Sequence, residues 1–193
     1  GIMISMFIAK RLMQYMDLRY LMSAGYLICA AALAMMVTWS LEMDSGPILS
    51  SGFIQGLGLG LLFTPATMAA FSTLPQQFRP DGSSLLNLVR NIGGSFGISA
   101  IFTLISRNSQ ISHADLSSHI TPYSLPGIDP LTAAARLGDT GTAALQLVDL
   151  EIQRQASMIA YLDNFYAMAI LLLLISILPL LLKPIHLNNR ATN

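Results

Sequence analysis

Asn87, Arg90 and Asn91 sit in an otherwise apolar stretch from Leu85 to Ile105. They are three and four residues apart, which places them on one face of a helix. An arginine flanked by two amides has the chemistry for a direct role in ligand binding or proton coupling. Counted from Ser83, Arg90 lies about 10 Å along the axis at 1.5 Å per residue. A charge at that depth in an apolar segment normally faces a protein interior or a water-filled cavity. Two structural readings stand beside the functional one: snorkelling of the arginine to nearby headgroups, and hydrogen bonding to helix-end carbonyls. Asp163, followed by Asn164, is the second candidate. A carboxylate in the outer half of an apolar segment has the means to exchange protons with an external cavity. The alternative is a wet interfacial position near a helix start, where the dipole favours it.

The remaining chemistry-bearing residues carry less. His113, Asp115 and His119 are metal-ligand types, but their spacing matches no standard helical pair, so they read as solvated loop residues. No metal site is expected. Cys29 is the single cysteine, which rules out a disulfide within the chain and any Cys-x-x-Cys site. It reads as a small buried apolar residue. No nucleophile–base pair or cofactor loop appears, so no catalytic residue and no cofactor is assigned, and an enzyme is disfavoured.

The elements that must position these residues are long and apolar. Charged residues are 10% of the chain, against about 25% in ordinary soluble domains, and the mean hydropathy is +0.60. Stretches from Tyr20 to Leu41, Ile48 to Phe71, Leu85 to Ile105 and Ala156 to Leu182 are nearly free of charge. Each is long enough for a hydrocarbon core of about 30 Å, which takes roughly 20 residues. Ile2 to Ala9 reads as the end of a further span, and residue 1 is Gly rather than Met. The chain therefore reads as the C-terminal piece of a larger polytopic membrane protein, all-α in fold.

Lys and Arg near span ends set orientation. They place 10–19, 73–82 and the 183–193 tail in the cytoplasm, with transmembrane segments at 20–41, 48–72, 83–106 and 156–182 after a span ending at 1–9. The 42–47 turn and the 107–155 loop fall outside, on the periplasmic side in the reading below. Leu131 to Leu137 and Thr142 to Ala156 are candidates for short amphipathic helices in that loop. Asp81 or Ser83 is a candidate N-cap for the span that follows.

Small residues form the strongest pattern. Gly52, Gly56, Gly60 and Thr64 recur every four residues, a ridge that lets two helix backbones approach closely in lipid. Gly93 and Gly97 repeat the spacing. Pro65 removes a backbone hydrogen bond and is expected to bend its helix. The ridge lacks the Lys-Ser/Thr of a phosphate-binding loop.

Three segments carry a family resemblance: Gly56-Leu-Gly-Leu-Gly-Leu-Leu-Phe-Thr-Pro65, Leu74-Pro-Gln-Gln-Phe-Arg-Pro-Asp-Gly82 and Leu85-Leu-Asn-Leu-Val-Arg-Asn-Ile-Gly-Gly-Ser-Phe-Gly-Ile98. With Ser112-His-Ala-Asp-Leu116 and Tyr161-Leu-Asp-Asn-Phe165, the chain resembles the C-terminal part of 14-span EmrB/QacA-type drug:proton antiporters of the major facilitator superfamily. The resemblance implies the end of span 10 and spans 11 to 14, in a bacterial inner membrane. It also implies export of hydrophobic toxic compounds in exchange for protons, with the proton gradient rather than a cofactor as energy source. Implied partners are the N-terminal half of the same transporter, a periplasmic adaptor and an outer-membrane channel. Family motifs for coupling lie mostly in that other half, so no coupling residue is assigned here. A non-transporting remnant that binds partners through its outer loop, and a major facilitator for a metabolite, are the alternative readings.

Overall fold

The computed structural model describes residues 1–41, 43–72, 74–119 and 140–181. These residues form helices α1 (Ile2–Leu12), α2 (Leu18–Met36), α3 (Ser45–Phe71), α4 (Arg79–His119) and α5 (Thr140–Ile175). Two short 3-10 turns, Gln76–Phe78 and Leu178–Leu181, precede α4 and follow α5. No strand occurs among the described residues, and the fold is an all-α membrane bundle. Four helical segments are long and apolar enough to cross a membrane: Leu18–Met36, Ser45–Phe71, Gln76–Ser117 and Asp149–Leu181.

The chain divides into two compact units, residues 1–96 with those from Phe165 onward, and residues 97–164. In the first, α3 packs against both α1 and α2. Local sequence sets where these helices start. Asp17 and Asp44 occupy the extended residue before α2 and α3, without a side-chain cap. The backbone carbonyl of Asp17 accepts from the Tyr20 and Leu21 amides at 3.1 and 3.4 Å. Pro47 falls in the first turn of α3, where its missing N–H costs nothing. Pro65 lies inside α3, which continues past it to Phe71. The start of α4 differs from the sequence expectation. The helix begins at Arg79, so Asp81 lies within the first turn and caps nothing. Ser83 Oγ donates instead to the Pro80 carbonyl at 2.8 Å.

A buried cluster of Leu33, Met36 and Ala169 joins α2 to the C-terminal part of α5. Trp39 and Phe165 pack against it and meet edge to face, with centroids 5.7 Å apart at 77°. Trp39 is thus held by a ring contact near the end of its span, where amphipathic rings also suit the headgroup level.

In the second unit, helix replaces much of the expected outer loop. The α4 helix has 41 residues and α5 has 36, against about 20 for a crossing. Residues 107–119 continue α4, and 140–155 begin α5. The physical reason is that polarity does not end a helix. Residues 106–119 hold no Gly and no Pro, and the first breaker after them is Pro122. The expected helix at 131–137 and the 183–193 tail lie outside the described residues.

Candidate functional site

Two of the ridge glycines mark the contact of α3 with α1. A Cβ added at Gly56 would stand 3.2 Å from the Ile2 amide nitrogen and 3.3 Å from the Gly1 Cα. One added at Gly60 would overlap Ser5 Oγ and come within 2.9 Å of the Ile2 carbonyl. Ser5 itself is fully buried, and its Oγ donates to the carbonyls of Ile2 (2.9 Å) and Gly56 (3.3 Å). A polar side chain is tolerated in this seam because backbone carbonyls satisfy it.

A second seam, which the four-residue ridge does not include, runs along another face of α3. A Cβ at Gly58 would lie 2.6 Å from Cys29 Sγ and 2.9 Å from both the Cys29 nitrogen and the Gly25 carbonyl. Reciprocally, Gly25 leaves 3.0 Å to the Gly58 carbonyl. Cys29 is buried, and its thiol donates weakly to the Gln55 carbonyl at 3.8 Å. The signal was present in the sequence as alternate glycines at 56, 58 and 60. In a helix, residues two apart point about 200° from one another, so such a run serves two neighbours.

The other glycines behave differently. An added Cβ at Gly52, Gly93 or Gly97 meets nothing within 4 Å. The close packing expected there is not made by the described residues. Thr64, the last position of the ridge, donates its hydroxyl to the Gly60 carbonyl at 3.1 Å.

The polar candidates are on exposed surface. Asn87, Arg90 and Asn91 are all exposed, and no described side chain from Arg79 to Ser117 is buried. The Arg90 guanidinium stands over the Phe63 ring, 5.4 Å from its centroid. Phe63 was not among the residues singled out from sequence. A positional signal existed, because α3 and α4 are joined by a short turn. Residues roughly equidistant from Pro75–Phe78 on either side are brought together, and Phe63 and Arg90 are such a pair. Among the described residues Arg90 makes no ion pair with a carboxylate. Asp163 is exposed and the following Asn164 is buried; both belong to the second unit.

His113 and Asp115 lie on α4, not in a loop. His113 Nε2 is 3.1 Å from Asp149 Oδ1, tying the two helices of the second unit together outside the apolar stretches. No group of three His, Cys, Asp or Glu side chains gathers among the described residues. Near the end of α2, an open apolar groove of about 630 Å³ is lined by Ala31, Ala34, Met35, Thr38, Trp39, Pro47 and Ser50. Large apolar side chains of α4, including Leu88, Ile92, Phe96 and Phe102, are more than half exposed. Exposed apolar surface of that extent belongs against lipid or other helices.

The chain is similar to proteins that share this apolar helical character. It is 29% identical to the fatty acid resistance protein FarB of Neisseria gonorrhoeae over 88% of this chain and 34% of that protein. It is 26% identical to the multidrug export protein EmrB of Escherichia coli over 84% of this chain and 32% of that protein. Over most of its length the chain is similar to EmrB-type export proteins. It is also 32% identical to the cephamycin export protein CmcT of Amycolatopsis lactamdurans over 56% of this chain and 22% of that protein. The chain spans about a third of the length of FarB and EmrB. No family model and no solved structure matches it. Together with the four long apolar helices among the described residues, similarity to these export proteins supports a membrane protein.

Proposed function

We propose that this chain is the C-terminal third of a secondary transporter that exports hydrophobic toxic compounds in exchange for protons, by alternating access. The observation that carries the reading is its relatedness, over more than four fifths of its length, to proteins named for multidrug export and fatty acid resistance. The fold supports it. The seams at Gly56/Gly60 and Gly58 make α1, α2 and α3 a tightly packed block, and a rigid block is what rocking transporters need. The exposed polar face of α4, a costly feature in lipid, is then turned toward the transport path. On this reading the membrane is the bacterial inner membrane and the C-terminus is cytoplasmic. The partners are the remaining spans of the transporter, a periplasmic adaptor and an outer-membrane channel.

The test is an efflux assay on the complete reading frame that contains this chain, in cells stripped of their own exporters. Lower accumulation of a hydrophobic dye, reversed when the proton gradient is collapsed, is the expected result. Unchanged accumulation with normal membrane levels would refute export. Export that survives loss of the gradient would refute proton coupling alone.

A further inference from the structure

We infer that Arg90, flanked by the amides of Asn87 and Asn91 and standing over the Phe63 ring, is a binding site for the carboxylate of amphiphilic anions carried by this transporter. The inference rests on the export reading above and adds the chemistry of one site. Arginine stays charged in any environment a protein provides. A permanent cation within an apolar helix needs a compensating partner, and among the described residues Arg90 pairs with no carboxylate. Its contact with Phe63, at 5.4 Å to the ring centroid, uses the positive charge and leaves the guanidinium N–H donors to bind elsewhere. Those donors form the planar fork that matches a carboxylate with two parallel hydrogen bonds.

The neighbours extend that recognition. Asn87 and Asn91 stand one turn apart and exposed, and their amide N–H groups add neutral donors beside the fork. Around them Leu88 and Ile92 are exposed hydrocarbon. A ligand with a carboxylate at Arg90 therefore lays an apolar body against apolar side chains. Charge complementarity selects an anion, and the surroundings select one with a hydrocarbon body. An anionic phospholipid offers the same charge, and the lipid arm of the test separates it from a carried anion.

The test uses the complete transporter in nanodiscs of phosphatidylcholine at neutral pH, with three probes that share a twelve-carbon chain: laurate, dodecanol and dodecyltrimethylammonium. The wild type is expected to bind laurate at least about tenfold more tightly than dodecanol, the scale of a hydrogen bond to a charged group. Arg90→Gln should bring that ratio to near one, and Arg90→Lys should keep part of it. A wild-type ratio near one overturns the inference without any variant, so a misfolded Arg90→Gln protein does not shelter it. A ratio that persists in a folded Arg90→Gln protein also overturns it, as does loss of the preference when phosphatidylglycerol is added to the nanodiscs, which would make lipid the occupant. Export of dodecyltrimethylammonium in cells, assayed in parallel, separates the two claims. Its absence counts against the export reading, whereas its presence with no laurate preference counts only against the site.

Discussion

Helices α3 and α4 begin from the same ingredients and end in opposite roles. Both are long and apolar, and both carry glycines at four-residue spacing. In α3 two of those glycines, Gly56 and Gly60, receive α1, while Gly52 meets nothing and Gly58, off that spacing, receives α2 across Gly25 and Cys29. In α4, Gly93 and Gly97 face open space, and the helix shows Asn87, Arg90 and Asn91 along one face instead. The contrast teaches that a small-residue repeat licenses close approach but does not say which partner arrives. Sealed seams mark the tightly packed block of this region, and the polar face of α4 is open among the described residues.

The largest effect should come from filling the first seam. Gly56→Leu places a whole side chain where a bare Cβ already stands 3.2 Å from the α1 backbone, and overpacking of this kind costs about 1–3 kcal/mol or more. Membrane levels of the complete transporter should fall sharply, measured by fluorescence-detected size exclusion; wild-type yield and efflux would remove the scaffold role. The same single methyl group sharpens the contrast. Gly58→Ala meets backbone at 2.9 Å and should lower the melting temperature, whereas Gly93→Ala meets nothing and should leave it unchanged or raise it, since alanine is better than glycine inside a helix by about 0.5–1 kcal/mol. Equal shifts for the two would erase the distinction.

Smaller effects follow. Trp39→Leu keeps apolar bulk but loses the edge-to-face contact with Phe165, worth about 0.5–1.5 kcal/mol; an unaltered thermal unfolding curve would show that the contact adds nothing. Asp163→Asn should leave export largely intact, because the carboxylate is exposed on α5. Loss of proton-coupled export at normal membrane levels would make Asp163 a coupling residue. Least of all, His113→Asn should change stability by no more than about 1 kcal/mol, the scale of a solvent-exposed pair, and a larger drop would mean that the pair with Asp149 organises the second unit.

Much of this arrangement was legible in the residues. Apolar length marked the spans because a bilayer fixes the number of residues a crossing needs. Gly56 and Gly60 were visible as a contact ridge, because small residues in lipid have few other uses. The Gly58 seam was hidden by reading the ridge at a single period, when alternate glycines open two faces. The helical ends of α4 and α5 were hidden by taking polarity for a loop, although no breaker precedes Pro122. Phe63 beneath Arg90 is a tertiary contact, and only the antiparallel geometry of a short turn hints at it. Gly93 and Gly97 look like packing positions, yet no described residue lies against them.

The central claim, that the polar face of α4 meets water while the seam between α2 and α3 is sealed, is tested most directly by cysteine labelling. In the complete transporter with other cysteines removed, Asn87→Cys, Asn91→Cys, Val89→Cys and the native Cys29 would each be exposed in turn to a water-soluble maleimide. Labelling at 87 and 91, slowed by a transported compound, with little at 89 and none at Cys29, is the predicted result. Equal labelling at 87, 89 and 91, or ready labelling of Cys29, would contradict the account.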